Sequence, residues 1–421
     1  MAHLGNYSLN ILSCLLVIVS CYDFTPPYQN RPKVARYRSV QDCMAAHLRE
    51  HSRRSINLNS FVTTPQIINR VGYPSEQHIV STEDGYYLTV HRIPGKPGSM
   101  PVFLQHGMFS SSFDWVVAGR DRGLAFILAD QGYDVWLGNT RGNLYSSCHT
   151  HYTPDDQEFW NFSWHEMGVY DTTAVVEYIT KATNQNLIYI GHSMGTTMSY
   201  VMAIERPDVA SKVKAIFSLS PVVYVSNAKS FLFSSAKAFK LEKLRRILPL
   251  DYLFSHLPEQ KSLIESFCNP NLHLRMICLS AVSGLFGHNL NGFDFSLLPR
   301  ILSHDPAGVS LKTIIHFHQL VHSNRFAHFD YGPKVNLDIY GSAIPPDYDI
   351  SKIQVPVGIF WAENDPVADP RDIQRFYSQL PKPIFNLKVD HNKFNHLDFL
   401  WANDAGDYVY SKLISAMKEY Q

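Results

Sequence analysis

Residues 187–207 constrain the fold more tightly than any other part of the chain. Leu187-Ile-Tyr-Ile190 has the composition of a buried strand. It runs without a spacer into Gly191-His-Ser-Met-Gly195, and Thr196 to Glu205 can continue as a helix that Pro207 ends. A serine between two glycines at a strand-to-helix turn is the nucleophile-elbow pattern. The physics sets the glycines: the serine sits in strained backbone geometry, and side chains at 191 and 195 would collide with neighbouring backbone. G-x-S-x-G alone is a weak signal that a structural Gly-Ser turn would also give. Its position between strand and helix gives it weight.

Other short apolar runs recur at Val102–Gln105, Tyr133–Leu137, Val213–Leu219, Val357–Trp361 and Ile384–Val389, with helix-length segments between most of them. Such runs predict buried parallel strands joined by right-handed βαβ units. A turn at Glu83-Asp84-Gly85 followed by Tyr86–Ile93 predicts a hairpin ahead of the series. Between Pro221 and about Ile350 the rhythm stops, which marks an inserted, largely helical domain over 222–350. The core is then split into 58–221 and 351–421. The insertion carries Phe231, Leu232, Phe233, Phe239, Leu241, Leu244, Ile247 and Leu248 among Lys237, Lys240, Lys243, Arg245 and Arg246. That amphipathic pattern fits either packing onto the core or contact with a lipid surface.

A serine hydroxyl is a poor nucleophile near neutral pH, so Ser193 needs a histidine base and a carboxylate to orient it. In α/β-hydrolases the chain order is Ser, then Asp or Glu, then His. Asp365 lies just past the Val357–Trp361 run, where ligand-facing loops of a parallel sheet emerge. Asp369 and Asp372 compete with it, and Asp365 could also simply cap the Glu-Asn-Asp-Pro turn. Of the 20 histidines, two, His391 and His396, lie beyond Asp365, and position alone does not choose between them. The oxyanion would be met by backbone N–H groups of Met194, after the nucleophile, and of Met108, after Phe103-Leu-Gln-His-Gly107. The alternative reading of His106-Gly107 is a tight turn only.

Composition closes off other classes. Lys+Arg 37 balances Asp+Glu 37, so no basic excess is available to neutralise a nucleic acid, and 45% hydrophobic against 18% charged residues describes a globular chain. C-x-x-C pairs and H-E-x-x-H are absent from the sequence, and His318-Gln-Leu-Val-His322 lacks the glutamate base of a zinc hydrolase, so no metal or cofactor is expected. Ile11, Leu12 and Leu15–Val19 before Ser20 and Cys21 read as an export signal over 1–21, too short to anchor the chain across a membrane. Residues 22–57, with seven basic residues against two acidic between Arg31 and Arg54, read as an arm or leader, with trimming near Arg53-Arg54 as the sharper reading. Removal of the signal leaves Cys43, Cys148, Cys268 and Cys278. Four cysteines allow three pairings, and Cys268 and Cys278 are close enough in sequence for a local loop. Asn161-Phe-Ser163 is a glycosylation sequon.

These residues resemble the animal acid lipases, the family of gastric lipase, lysosomal acid lipase and secreted insect relatives. The resemblance runs from about Thr63 to the C-terminus. It rests on Gly72-Tyr-Pro74, Thr82-Glu-Asp-Gly-Tyr86, Leu104-Gln-His-Gly107, Gly138-Asn-Thr-Arg-Gly-Asn143, Gly191-His-Ser-Met-Gly-Thr-Thr197, Asn364-Asp365 with Ala368-Asp-Pro370, and Asn395-His-Leu-Asp-Phe399. It implies the triad Ser193, Asp365 and His396, so choosing His396 over His391, with oxyanion amides at Met108 and Met194 and a cap over the site. Many members carry Gln where this chain has Met194, a change that a backbone donor survives. Cys268 and Cys278 look like the family's cap disulfide, with spacing shifted by about a residue.

The expectation is therefore a secreted α/β-hydrolase-fold lipase acting on neutral lipid esters at a lipid–water interface, without cofactor. The lysosome is the alternative location. The rival functions are a carboxylesterase of small soluble esters and a non-catalytic lipid-binding protein on the same fold.

Overall fold

A computed structural model describes residues 39–43, 45, 46, 62–238, 251–253, 283–289 and 292–421. The export signal, Cys268, Cys278 and most of the basic amphipathic stretch lie outside the described residues.

The main sheet is built from β1 (Glu76–Ser81), β2 (Tyr86–Ile93), β3 (Pro101–Gln105), β4 (Asp134–Leu137), β5 (Cys148–His149), β6 (Leu187–His192), β7 (Val213–Leu219), β10 (Val357–Trp361) and β11 (Pro383–Lys388). Its order is β1-β2-β4-β3-β6-β7-β10-β11, with β5 beside β2. The pairs from β4 to β11 are parallel, while the β1–β2 hairpin joins antiparallel at one edge. β3, β4 and β6 are buried at every residue, as strands covered on both faces must be. Helices α1 (Leu124–Asp130), α2 (Thr173–Thr183) and α3 (Met194–Glu205) connect the central strands. The two faces carry separate apolar clusters. One holds Phe103, Trp136, Tyr189, Val201 and Ile359; the other holds Leu104, Val135, Ile190, Phe217 and Phe360, with the side chains of each strand alternating between them.

After β3 the chain moves outward to β4, and after β6 it moves to β7 on the opposite side. The crevice between the carboxyl ends of β3 and β6 is thus the switch point at which parallel sheets bind ligands. Register aligns these ends: Gln105 is opposite Gly191, His192 opposite Leu219, and Leu219 opposite Phe360.

Between β7 and β10 the chain leaves the sheet. Within this excursion β8 (Tyr252–Leu253) and β9 (Val309–Ser310) form a small antiparallel pair, a strand element the sequence rhythm did not announce. Helix α4 (Leu311–Ser323) follows, and its Phe317, Leu320 and Val321 join the same apolar cluster as Val201 and Ile359. Its His316 stacks on Trp164 at 3.7 Å between ring centroids. His318 on this helix donates from Nε2 to the Leu232 carbonyl at 2.9 Å. Helix α5 (Pro370–Tyr377) connects β10 to β11, and its Ile373 and Phe376 join the first apolar cluster.

Within residues 22–57, the described segment 39–43 is tied to the sheet. Cys43 and Cys148 form a disulfide with Cα atoms 6.1 Å apart, which ties residues 39–43 to β5 at the sheet edge. Among the described residues no helix is long and apolar enough to cross a membrane.

Candidate active site

β6 delivers Ser193 into the turn before α3 with φ 53° and ψ −125°, a conformation that strains any non-glycine residue. The two glycines make the turn possible. A Cβ on Gly195 would lie 2.4 Å from the Gln105 carbonyl oxygen, and one on Gly191 would lie 2.9 Å from the backbone of Gly195 and Thr196. The serine side chain therefore projects at the carboxyl edge of the sheet, above the amino end of α3.

His396 stands between Ser193 and Asp365. Its Nε2 is 2.8 Å from Ser193 Oγ, and its Nδ1 is 2.8 Å from Asp365 Oδ2. All three are nearly enclosed, with exposures of 9%, 2% and 4% for Ser193, His396 and Asp365. The carboxylate accepts the Val367 and Ala368 amides on Oδ1, at 2.8 and 3.0 Å. The turn-capping reading of Asp365 and the reading as an orienter of His396 therefore both hold, on different oxygens. Burial pushes the Asp365 carboxyl up, but the facing His396 and hydrogen bonds from His396, Ser220 and Ala368 outweigh it and hold it below its usual range.

The competing residues are engaged elsewhere. Asp369 caps α5 and pairs with Arg371. Asp372 accepts from the backbone and side-chain nitrogens of Asn227, at 2.9 and 2.8 Å. His391 packs edge-on to Tyr408.

The loop that carries His396 is fixed from three sides. Asn395 and Asp398 cap each other's segment: the Leu397 and Asp398 amides donate to Asn395 Oδ1, and the Asn395 amide donates to Asp398 Oδ2 at 2.8 Å. Segment 283–289 reaches back from the excursion, with His396 N–H donating to the Phe286 carbonyl at 3.1 Å and Asn289 Nδ2 to Asp398 Oδ2 at 2.8 Å. His192 Nε2 donates to the His396 carbonyl at 2.8 Å. Burial is the chief cause of the fall in the His192 pKa to about 3, so this ring stays neutral.

The β3 loop is braced in a similar way. His106 Nδ1 donates to the Gly107 carbonyl at 2.8 Å, while its Nε2 accepts the Thr140 amide and Asn143 Nδ2, each at 3.2 Å. That pairing fixes the tautomer and joins His106-Gly107 to the Gly138–Asn143 turn. A Cβ on Gly107 would sit 2.9 Å from Ser193 Cβ, so the loop lies directly against the nucleophile. Met194 is the first residue of α3, where helix N–H groups lack intrahelical acceptors, and Met108 follows Gly107 in the β3 loop.

Sequence reasoning missed the roles of three residues at the site. Ser220, at the end of β7, contacts Asp365 and His396. His192 and His106 belong to recognised motifs but gave no hint of holding loops. The shared sheet edge is the one clue that could have drawn attention to Ser220. Among the described residues no group of three or more His, Cys, Asp or Glu is placed to hold a metal ion. Asn161 is exposed, while the Ser163 of its sequon is buried and bonded to Glu166.

The sheet order and the serine turn place the molecule in the α/β-hydrolase class. Residues 64–119 match the family model described as a partial alpha/beta-hydrolase lipase region, and residues 100–251 match that of the alpha/beta hydrolase fold. The chain is 37% identical over 371 residues to Lipase 1 of Drosophila melanogaster, across 87% of this chain and 82% of that protein. It is 37% identical to the gastric triacylglycerol lipase of Bos taurus, across 90% and 95% of the two chains, and 38% identical to that of Homo sapiens, across 84% and 90%. The chain belongs to the α/β-hydrolase lipase family that includes the gastric lipases, and it is an ester hydrolase.

Proposed function

We propose that this lipase hydrolyses carboxylic esters of neutral lipids, triacylglycerols or sterol esters, through an acyl-enzyme on Ser193. The observation that carries the reading is the position of His396, 2.8 Å from both Ser193 Oγ and Asp365 Oδ2. Its Nε2 takes the serine proton as Oγ attacks the acyl carbonyl. Asp365 holds Nδ1 protonated and stabilises the imidazolium, which then gives its proton to the departing alcohol. The Met108 and Met194 amides receive the developing oxyanion, a role worth about 2.7–4 kcal/mol per donor. Water activated by the same imidazole releases the fatty acid and restores Ser193.

The gastric relatives are named for triacylglycerol, which supports that substrate class here. Residues 222–350 act as a cap that shields an apolar trough and moves aside for substrate. The protein is exported after loss of residues 1–21, carries a glycan on the exposed Asn161, and pairs Cys268 with Cys278.

A fluorophosphonate probe on the purified, secreted protein tests the nucleophile: it labels the wild type and leaves Ser193→Ala unlabelled. A panel of emulsified and monomeric esters tests the substrate class, with the emulsified long-chain esters turned over faster. Preference for monomeric short-chain esters would make the protein a carboxylesterase instead.

A further inference from the structure

Ser220 follows the last residue of β7 and is fully buried, with a left-handed backbone at φ 53°. Its amide donates to the Phe360 carbonyl at 2.8 Å, which locks the residue to β10, the strand that leads to Asp365. Its hydroxyl meets the two residues behind the nucleophile. It donates to Asp365 Oδ2, and its oxygen lies 2.8 Å from His396 Nδ1, which in turn lies 2.8 Å from that same Oδ2.

The proton assignment in this triangle follows from the chemistry. Nε2 must be bare to accept from Ser193, so Nδ1 carries the ring proton and cannot accept one. The single hydroxyl proton of Ser220 therefore goes to the carboxylate, and its lone pairs are left facing Nδ1–H. We propose that Ser220 is a positioning residue for the hydrolysis: it clamps the Asp365 carboxylate and gives Nδ1–H a second acceptor, so the ring stays aimed at Ser193 as positive charge develops. This rests on reading Ser193, His396 and Asp365 as the triad. A hydroxyl with no such role would be a costly choice here, because a non-glycine residue at positive φ is already strained.

The groups that face the pair are few. Asp365 meets His396, Ser220 and the Val367 and Ala368 amides, while the neighbouring imidazole of His192 is turned to the His396 carbonyl.

Two variants separate the hydroxyl from the backbone. Ser220→Ala removes the hydroxyl and keeps the strain; Ser220→Gly removes the hydroxyl and relieves the strain. Both are expected to lower kcat roughly 10- to 100-fold, the range of one hydrogen bond to a charged group, with KM changed by less than about twofold. The acid limb of kcat/KM should shift from its wild-type position in both, because the carboxylate behind His396 loses a donor and Nδ1–H loses its second acceptor. Melting temperature and complete, slower fluorophosphonate labelling identify folded protein. Wild-type kcat with an unmoved acid limb in Ser220→Gly, or a loss in Ser220→Ala that Ser220→Gly does not share, would overturn the proposal. Ser193→Ala is assayed alongside: if it retained activity, the triad reading would fall, whereas an inactive Ser193→Ala beside a normal Ser220→Gly would sink the role of Ser220 alone.

Discussion

At the scale of single residues, the site depends on atoms that have no room to move. If Ser193 and His396 act as one unit, Ser193→Ala and His396→Ala should each lower turnover on the order of 10⁴- to 10⁶-fold, and the double variant should be no worse than the weaker single. Ester hydrolysis by the three variants checks this, and multiplying losses would contradict a shared step. Gly195→Ala acts through sterics alone. Its new Cβ would meet the Gln105 oxygen at 2.4 Å, backbone that cannot yield without shifting β3. We expect poor folding or a marked drop in melting temperature, larger than at Gly72, where an added Cβ meets nothing within 4 Å and only the left-handed backbone opposes a side chain.

At the scale of elements, two buried charge clusters fasten loops and helices to the sheet. Arg141, from the Gly138–Asn143 turn, donates to Asp171 at 2.7 Å and to Asp84 at 2.8 Å, and lies 4.0 Å above the Tyr86 ring. Two sequence motifs, Gly138–Asn143 and Thr82–Tyr86, thus meet at one guanidinium, with Asp171 as a further partner. Arg141→Met should cost about 3–5 kcal/mol in urea unfolding, because it strands the buried Asp171 carboxylate. The second cluster joins α4 to the segment before α2, where Lys312 Nζ lies 3.0 Å from Glu166 Oε1 and the Ser163 amide donates to Glu166 Oε2. Burial raises the Glu166 pKa, but Lys312, His165 and the Ser163 amide overcome it and lower the pKa from 4.5 to about 2. A depressed carboxylate stabilises the fold above its unfolded pKa and loses that contribution as pH falls from about 4.5 toward 2. The contribution is about 3 kcal/mol at neutral pH. The stability gap between wild type and Glu166→Gln should therefore narrow over that window; a constant gap would show that the carboxylate charge is not what holds α4.

At the scale of the whole molecule, the Cys43–Cys148 bridge closes a loop with a sequence separation of 105 and ties the described segment 39–43 to β5. Loops of that length gain most from a cross-link by restricting the unfolded chain. Cys43→Ser, or Cys148→Ser, should lower stability by about 2–5 kcal/mol, read as a lower urea midpoint, while leaving the kcat of folded enzyme unchanged. A fall in kcat at constant stability would mean instead that the arm reaches the site.

Chain order and composition were enough to place every strand of the main sheet except the two-residue β5 and β1, the outer strand of the hairpin. Buried strands and the Gly-His-Ser-Met-Gly turn are local in origin: apolar runs, glycine sterics and the helix that follows sit within some twenty residues of each other. The choice among Asp365, Asp369 and Asp372, or between His391 and His396, is not local. The three acids all follow β10 and the two histidines both follow β11, each set with one chemistry, and the side chains diverge only once register sets β6, β7 and β10 level at their carboxyl ends. Ser220 had no motif to mark it, and the partner of Cys43 could not be counted out of four thiols. Proximity across the sheet, a property of the packed chain and not of any segment, decided both.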